Sequence, residues 1–357
     1  MKCLIVDTVP LGPGGITTVI MNYYSVMIRS GLDVDIVVVD KELQEKYSRV
    51  FNENGTHVYY FTRKTNRKKY FWDIFCLCRK EHYDVIHVHG NSGTMLIDLL
   101  PAHLAGVDKR IAHCHNVEHG HRILNKILNP IFRTQVTMAL ACSDAAGEWL
   151  FGREKYTVLN NAIAVTDFKY NPQVRKRIRQ ELGYGIKDTV LVHAGYFNAQ
   201  KNQSFLIELM KRNRDKNLKL LFIGDGRMRK SIEDSTTDDR IYFLGTTDAV
   251  EDYLQAADCF VFPSKWEGLG IAALEAQASG LPCIVSAYVP KLVNMSGKVQ
   301  FYDLNDTLSW DDAVKRIKPE SDYQRESCSE ANIEKMTLKG YNIRNEGQRL
   351  VQIYTNL

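Results

Sequence analysis

Short apolar runs recur through the first half of the chain, and amphipathic stretches separate them. The runs are residues 3–6, 34–39, 84–89, 110–115 and 140–143. Their lengths and the turn residues around them are typical of strands buried on both faces, as in a parallel sheet. Residues 16–29 have the spacing of an amphipathic helix. The pattern therefore predicts an α/β domain in this half.

The second half repeats the pattern. Its predicted strands are residues 189–194, 220–223, 241–245 and 259–262. A helix over residues 271–279 follows and ends at Gly280, after which Pro282 opens another strand. A chain of 357 residues exceeds the size at which one core keeps growing, so we expect two domains.

Composition narrows the function classes. With 45% hydrophobic and 25% charged residues the chain is globular, and a net charge of +4 is too small to indicate nucleic-acid binding. The eight cysteines include no Cys-x-x-Cys pair, which argues against zinc and thioredoxin-like sites and favours reduced thiols in a cytoplasmic protein. We find no signal peptide and no apolar run of about 18 residues, so we expect no membrane span.

The candidate chemistry is concentrated between residues 258 and 282. Glu267 falls in the loop after a predicted strand, and Glu275 lies just over one turn into the next helix. Ligands of open α/β sheets bind at the carboxyl ends of the strands, where free helix amides attract anions. Both carboxylates can therefore face a ligand and bind its hydroxyl groups. The alternative is that they are two solvated surface glutamates, because this spacing is common by chance.

The loop before residue 16 ends in Gly14 and Gly15 and lacks two common nucleotide-binding motifs. It has neither the Gly-Lys-Ser/Thr of a P-loop nor the Gly-x-Gly-x-x-Gly of a dinucleotide fold. Adjacent glycines at a helix start let backbone amides approach a ligand closely, whereas a plain turn is the alternative.

Four motifs of the second half fall in one order. They are Pro263-Ser264, Glu267-Gly268, Leu274-Glu275-Ala276 and Gly280-Leu281-Pro282. This order resembles the paired-glutamate signature of retaining nucleotide-sugar glycosyltransferases of family 4, of the bacterial capsular and exopolysaccharide type. The resemblance covers the whole chain and is strongest from residue 189 to residue 290.

The resemblance implies the GT-B fold, in which two doubly wound, Rossmann-like α/β domains face a central cleft. It implies an acceptor-binding domain over residues 1–165 and a nucleotide-sugar-binding domain over residues 166–340. It also implies that a last helix, residues 341–357, packs back on the first domain.

The resemblance further assigns roles to individual residues. It makes His115, Glu267 and Lys201 the catalytic group. The donor-binding residues that it implies are Gly14, Gly15, Gly195, Tyr196, Lys201, Gly224, Gly245, Glu267, Gly268, Leu269, Gly270 and Glu275. Tyr196 departs from the family, which usually has an arginine there. The candidates to supply the missing cation are Arg227, Arg229 and Lys265.

Two His-x-His pairs end predicted strands. Alternation places His87 with His89, and His113 with His115, on common faces. Four imidazoles suit a metal such as zinc, but no carboxylate obviously completes the set, and the resembled fold typically works without a metal. We therefore expect neither a metal nor a cofactor, and the resemblance puts His115 near the transferred sugar.

A basic run passes into an aromatic helix over residues 63–80. The consecutive residues Arg67, Lys68, Lys69, Tyr70, Phe71 and Trp72 form its centre. Such a segment is either a solvated face packed on the domain or a patch that contacts anionic membrane. Glycosyltransferases that extend lipid-linked acceptors often carry such a patch, and residues 121–133 are a candidate extension of it.

These features predict a cytoplasmic, metal-independent retaining glycosyltransferase in peripheral contact with the membrane. Its expected donor is a nucleotide-diphosphate sugar, with UDP-sugars preferred, and its expected acceptor is a lipid-linked saccharide in polysaccharide biosynthesis. The alternatives are a nucleotide-sugar epimerase or hydrolase of the same architecture and a non-catalytic partner subunit.

Overall fold

The structure is a computed structural model that describes residues 1–12, 14–41, 43–116, 122–152 and 155–356, without the side chains of residues 122, 123 and 126. The chain divides into two compact units. Unit 1 comprises Met1–Ala162 and Ile343–Leu357, and unit 2 comprises Ile163–Asn342. The sequence predicts these boundaries at 165/166 and 340/341.

Unit 1 is a parallel sheet covered by helices. Its strands are β1 Lys2–Asp7, β2 Asp33–Val39, β3 Val58–Phe61, β4 Val85–His89, β5 Lys109–Cys114, β6 Met138–Ala141 and β7 Thr157–Val158. Its first helices are α1 Gly15–Arg29, α2 Glu45–Glu53, α3 Arg67–Glu81, α4 Leu96–Leu104, α5 Arg122–Gln135 and α6 Asp144–Phe151, with a 3₁₀ turn at Gly93–Met95. The strand order is β3-β2-β1-β4-β5-β6-β7, and the order reverses between β1 and β4.

Unit 2 repeats this architecture. Its strands are β8 Thr189–Ala194, β9 Leu218–Ile223, β10 Ile241–Gly245, β11 Cys259–Phe262, β12 Cys283–Ser286 and β13 Val299–Tyr302. Its helices are α7 Pro172–Glu181, α8 Gln203–Arg212, α9 Arg229–Asp234, α10 Val250–Ala256, α11 Ile271–Ala278, α12 Thr307–Lys315 and α13 Asp322–Leu338, with a 3₁₀ turn at Lys291–Val293. The strand order is β10-β9-β8-β11-β12-β13 and reverses between β8 and β11.

The two strand orders confirm the predicted doubly wound fold. The core strands are buried on both faces, as β11 is at every position from Cys259 to Phe262, which explains why they read as continuous apolar runs. In such sheets ligands bind outside the carboxyl ends of the strands, where the strand order reverses. The point at which the strand order reverses follows β8 and β11 in unit 2, and it follows β1 and β4 in unit 1.

The last helix, α14 Ile343–Asn356, belongs to unit 1 and packs against α1. Close approach depends on Gly347, because a Cβ there would lie 2.7 Å from the side chain of Val26. Among the described residues, no helix has the length and apolar character needed to span a membrane.

Candidate active site

The reversal point of unit 2 brings together two loops that the sequence singles out. The loop after β8 contains Gln200, and the loop after β11 contains Lys265 and Trp266. The Lys265 amide donates to the Gln200 carbonyl at 2.8 Å, and the Gln200 side-chain amide donates to the Trp266 carbonyl at 2.9 Å. These bonds fix the two loops against each other.

Lys201 and Glu267 form an ion pair across these loops. The Lys201 Nζ lies 2.7 Å from Glu267 Oε1, and the two side chains are 18% and 8% exposed. The same ammonium lies 4.5 Å from the centre of the Phe262 ring, a distance suited to a cation–π contact. Two of the three predicted catalytic residues are therefore adjacent.

Glu275 lies in α11, just over one turn from the start of that helix. Burial is the main cause that raises the pKa of its carboxyl to about 7, and the charge of Glu251 adds to the increase. Lys201 acts in the opposite direction and lowers this pKa. At neutral pH the Glu275 carboxyl is therefore divided between its protonated and ionised forms.

The predicted donor-binding glycines line the neighbouring loops. A Cβ on Gly224 would lie 2.3 Å from the Gly195 carbonyl oxygen, so the turn after β9 contacts the loop after β8 through bare backbone. The amide of Phe197 donates to the carbonyl of Asp225 at 2.9 Å and joins the same loops. Gly245, at φ 87°, adopts a left-handed conformation that a side chain would strain.

The helices that start in these loops leave amides available for an anion. Gly270 precedes α11 and Asn202 precedes α8, and in neither case does a side chain cap the first turn. Uncapped amides together with the helix dipole favour phosphate. In unit 1, α1 likewise begins after Gly14 without a side-chain cap and without an acidic residue in its first turn.

Three cations are the sequence-based candidates to replace the arginine missing at Tyr196. Arg229 is the one with a contact to a predicted donor-binding residue, because a Cβ on Gly245 would lie 2.9 Å from its guanidinium. Its Nε also lies 3.2 Å from Glu233. Arg227 and Lys265 are exposed. The replacement cation stays a prediction, and Arg229 is the best placed of the three.

The four predicted histidines stack side by side in unit 1. His87 and His89 on β4 have ring centres 4.1 Å apart, as do His113 on β5 and His115. All four side chains are buried. Burial holds the pKa of each ring below its usual range, to about 4 for His115, so the imidazoles are neutral.

Hydrogen bonds connect these rings into two chains. Tyr354 of α14 contacts His87 Nδ1 at 2.5 Å, and His87 Nε2 lies 3.3 Å from His113 Nδ1. In the second chain His89 Nδ1 lies 2.8 Å from His115 Nε2, and His115 Nδ1 lies 2.9 Å from the Asn161 side-chain oxygen. Both ring nitrogens of His115 are thus engaged within unit 1, so binding a sugar hydroxyl requires exchange of one of these partners.

The same rings are the candidate metal ligands. One nitrogen from each of His87, His89 and His113 lies within 4.8 Å of the others. A metal bound to imidazole lies in the ring plane, about 2 Å from nitrogen. The stacked planes of His87 and His89, with centres 4.1 Å apart and an angle of 26°, do not meet at that distance from both rings. The geometry favours hydrogen-bonded chains over a common metal.

The basic helix α3 presents only part of the predicted surface patch. Trp72 is 60% exposed, and Arg67 and Lys68 are exposed. Lys69 is also exposed but pairs with Asp73 at 2.8 Å. Phe71 is half-buried.

Two residues must be removed from the predicted patch because Asp98 of α4 binds them in the core. Tyr70 is fully buried and its hydroxyl donates to Asp98 Oδ1 at 2.5 Å. Arg63 is also buried and pairs with Asp98 Oδ2 at 2.9 Å. If Tyr70 and Arg63 were exposed, the buried Asp98 carboxylate would lose both of these partners, which is costly.

The predicted extension of the patch falls in α5. Ile127 and Ile131 are exposed there, whereas Phe132 is buried. Residue 121 and the side chains of Arg122 and Lys126 lie outside the described residues.

Sequence analysis missed His193, Asn161 and Tyr354. His193 is buried on β8, and its Nδ1 lies 2.9 Å from the Val261 carbonyl. Burial lowers its pKa to about 4. Asn161 and Tyr354 end the two histidine chains. Only the spatial neighbourhood identifies these residues, because each partner lies 46 or more residues away in the chain.

Comparisons with known proteins match each half of the chain to a glycosyltransferase family model. The family model described as glycosyltransferase family 4 matches residues 13–167, and the model described as glycosyl transferases group 1 matches residues 174–318. EpsF of Bacillus subtilis strain 168 is 27% identical, covering 96% of this chain and 93% of that protein.

A second relative is the UDP-Gal:α-D-GlcNAc-diphosphoundecaprenol α-1,3-galactosyltransferase of Escherichia coli. It is 27% identical, covering 80% of this chain and 78% of that enzyme. Among solved structures, Anabaena HepE in complex with UDP-glucose superposes with a TM-score of 0.76 at 15% identity, over 100% of both chains. This likeness confirms the predicted fold.

Proposed function

The chain belongs to glycosyltransferase family 4 and is a GT-B glycosyltransferase of bacterial polysaccharide biosynthesis, and from this premise we propose that it transfers a sugar from a UDP-sugar to a lipid-linked saccharide with retention of configuration. The Lys201–Glu267 ion pair at the reversal point of unit 2 carries the proposal. It puts a cation and a carboxylate where open α/β sheets bind ligands.

Each group near this pair has a proposed part in donor binding. Lys201 neutralises the diphosphate and exchanges its bond with Glu267 for one with a phosphate oxygen. The released Glu267 carboxylate accepts a hydroxyl of the donor sugar, and Glu275 accepts the ribose hydroxyls. The uncapped amides of α8 and α11 supply further donors for the phosphates.

Departure of the diphosphate is the difficult step of the proposed reaction. The charge that develops on its oxygens is stabilised by Lys201 and the loop amides, while the acceptor hydroxyl attacks the same face of the sugar. The loop amides are in place before the donor binds, whereas Lys201 first exchanges its bond with Glu267 for one with the phosphate. We propose that these groups take the place of a metal in this step.

Two relatives support the choice of donor and acceptor. HepE has been solved with UDP and with UDP-glucose. The Escherichia coli relative is named as a galactosyltransferase that uses UDP-Gal and a GlcNAc-diphosphoundecaprenol acceptor. We extend both classes to this chain, without assigning the sugar or the linkage.

A lipid-linked acceptor requires the enzyme to work at a membrane surface. We propose that the exposed patch formed by Arg67, Lys68, Lys69, Phe71 and Trp72 contacts anionic lipid on the cytoplasmic face. Basic side chains beside an exposed tryptophan suit that interface.

Product analysis with and without an acceptor tests the proposal. The purified protein is incubated with UDP-galactose or UDP-glucose, alone and with GlcNAc-diphosphoundecaprenol in detergent. A transferase forms a new glycolipid only with acceptor, and the proton NMR spectrum of that product shows an α-linkage, which is retention. Conversion of the donor without acceptor indicates an epimerase or hydrolase. A protein that binds no nucleotide by calorimetry is a partner subunit.

A further inference from the structure

The backbone of the loop after β8 is fixed from the protein interior at Tyr196. Its carbonyl accepts a hydrogen bond from Gln203 Nε2 at 3.2 Å, and the amide of Phe197 donates to the Asp225 carbonyl at 2.9 Å. Both ends of the peptide group that joins Tyr196 to Phe197 are therefore bound. The amide of Tyr196 itself has no hydrogen-bond partner within the described parts of the chain, so it is available to a ligand.

Gln203 has no part in the proposed reaction, yet it is the first residue of α8 and is only 1% exposed. Its side-chain nitrogen also lies 3.3 Å from His193 Nε2, so its two hydrogens reach His193 and the Tyr196 carbonyl. Its Oε1 is buried and has no partner among the described residues. Because an unpaired buried oxygen is costly, this orientation of the amide must be held by the two bonds that its nitrogen donates.

His193 offers an acceptor to Gln203 because of its other contact. Its Nδ1 lies 2.9 Å from the Val261 carbonyl, which can only accept, so the ring proton is on Nδ1. Burial lowers the pKa of the ring to about 4, and the charge of Lys201 contributes to the decrease, so the ring is neutral at pH 7. Nε2 therefore has a free lone pair for the Gln203 amide.

The same ring lies close to the side chain of Lys201. A Cβ on Gly195 would lie 3.4 Å from Lys201 Cε and 3.6 Å from His193 Nε2. The bare backbone of Gly195 thus contacts both side chains. The position of the Lys201 ammonium therefore depends on the same loop that His193 and Gln203 hold from below.

The polar side chains at the start of α8 are turned away from its first amides. Asparagine is a common helix cap, but the Nδ2 of Asn202 donates to the Pro263 carbonyl at 3.2 Å, and no side chain caps this helix. The side chain of Gln203 is likewise directed to His193 and Tyr196. Both residues connect loops and leave the helix N-terminus available to the phosphates.

We propose that His193 and Gln203 are positioning residues for the donor diphosphate. They hold the Tyr196 carbonyl inward and so present the Tyr196 amide, the first amides of α8 and the Lys201 ammonium to the phosphates. The chain has no cation at position 196, so phosphate binding depends more strongly on this backbone conformation. This inference rests on the proposed UDP-sugar donor and deepens it.

Four variants test the proposal. Gln203→Met removes both donated bonds and keeps the length of the side chain. His193→Phe keeps a buried ring without its nitrogens, whereas His193→Gln keeps a polar group near the position of Nε2. Gln255→Met is the matched control, because Gln255 is 2% exposed in α10 of the same unit and its amide also donates to backbone carbonyls, those of Phe168 and Glu251.

NMR titrations with UDP and with uridine separate phosphate binding from binding of the nucleoside. We expect Gln203→Met and His193→Phe each to weaken UDP binding about tenfold, the effect of one or two lost hydrogen bonds, with little change for uridine. His193→Gln should retain more UDP affinity than His193→Phe. Gln255→Met should lower the urea midpoint but bind UDP normally.

Heteronuclear NMR of the histidine ring nitrogens reads the contact directly. In the unaltered protein His193 should carry its proton on Nδ1, with Nε2 unprotonated. Gln203→Met should shift the Nε2 resonance because its hydrogen bond is lost, and Gln255→Met should leave it in place.

Three results would overturn the inference. They are unchanged UDP affinity in Gln203→Met or His193→Phe, an equal loss of UDP and uridine affinity, which indicates a general disturbance of unit 2, and a His193 ring protonated on Nε2. The last needs no variant, so it decides even where a substitution prevents folding. Failure of the proposed transfer is seen instead in the unaltered protein, which then binds no UDP or forms no glycolipid.

Discussion

The ammonium of Lys201 lies 2.7 Å from the Glu267 carboxylate, although 66 residues separate the two in the chain. Lys201 comes from the loop after β8 and Glu267 from the loop after β11, the strands between which the sheet order reverses. Each charge is mostly buried and is neutralised by the other. Donor binding must therefore replace this bond with interactions at least as favourable.

Lys201→Ala should lower donor affinity and turnover steeply. The loss of a charge-assisted bond to phosphate costs about 1.5–3 kcal/mol, which is ten- to a hundredfold in affinity. Lys201→Arg should retain part of the activity, because the charge survives while its geometry changes. UDP-sugar titration by calorimetry and initial rates measure both effects.

Lys211→Ala is the matched control for this experiment. Lys211 pairs with Glu208 at 2.8 Å on the surface of α8, and exposed pairs contribute little to stability. Its loss should leave donor binding unchanged. An equally unaffected Lys201→Ala enzyme would mean that the phosphates bind elsewhere.

Glu275 should make donor affinity depend on pH near neutrality. Burial raises the pKa of its carboxyl to about 7, so the carboxylate, which is the stronger hydrogen-bond acceptor, is lost as the pH falls below that value. Affinity for UDP-glucose should fall between pH 8 and 6, at most about tenfold per pH unit. UDP-glucose is chosen because the terminal phosphate of UDP would itself titrate near pH 6.

Glu275→Gln removes the titrating group and keeps the side-chain shape. Its affinity should be lower at pH 8 and nearly constant with pH. Parallel pH profiles of the two proteins would show that Glu275 does not contact the donor.

Sequence periodicity located the sheets well because their strands are buried on both faces. The predicted strands at 189–194 and 259–262 coincide with β8 and β11, and the predicted helix at 271–279 differs from α11 by one residue. Chain order and turn residues were enough for these elements, since their signals are local.

Side-chain partners were not predictable in the same way. The basic run from residue 63 was interpreted as a surface, yet Asp98, which lies 35 residues away, draws Arg63 into the core. The only indication of this burial in the sequence is that the apolar helix α4 contains a single acidic residue, Asp98.

The exposed face of α3 should bind anionic vesicles. Trp72→Ala and Lys68→Glu should each reduce co-sedimentation with phosphatidylglycerol vesicles, and each basic residue near the surface contributes about 1 kcal/mol, or roughly fivefold. Raising the salt concentration should weaken binding of the unaltered protein. Phosphatidylcholine vesicles should bind weakly throughout.

Trp266→Ala is the control variant for the tryptophan. Trp266 is 55% exposed, close to the 60% of Trp72, but belongs to unit 2. It should sediment like the unaltered protein. Binding that ignored lipid charge, salt and Trp72 would exclude a membrane role for α3.

The buried histidines should make the fold sensitive to acid. The pKa values of His87, His89 and His113 lie well below the usual 6.5, and those of His115 and His193 lie at about 4. As the pH falls below 6.5 the unfolded chain binds protons that the folded chain does not, so the free energy of unfolding decreases. Each such group contributes about 1.4 kcal/mol per pH unit.

Four acids act in the opposite direction, because desolvation raises the pKa of Asp7, Glu251, Glu275 and Glu346. Asp7 and Glu275 have pKa values raised to about 7, so the folded chain keeps protons that the unfolded chain releases, and this stabilises the fold as the pH falls from 7 toward 4. These acids are fewer than the histidines in the described part of the chain. The urea midpoint should therefore fall on acidification from pH 7 to pH 5.

A triple variant isolates one histidine chain. His87→Leu with His113→Leu and Tyr354→Phe removes all the hydrogen-bonded side chains together, which avoids leaving one of them buried without its partner. Its loss of stability between pH 6.5 and 5 should be smaller than that of the unaltered protein, by up to about 3 kcal/mol per pH unit. His82→Asn, at an exposed left-handed position, should keep the full pH dependence. An unchanged slope in the triple variant would mean that these histidines are protonated in the folded protein or exposed to solvent.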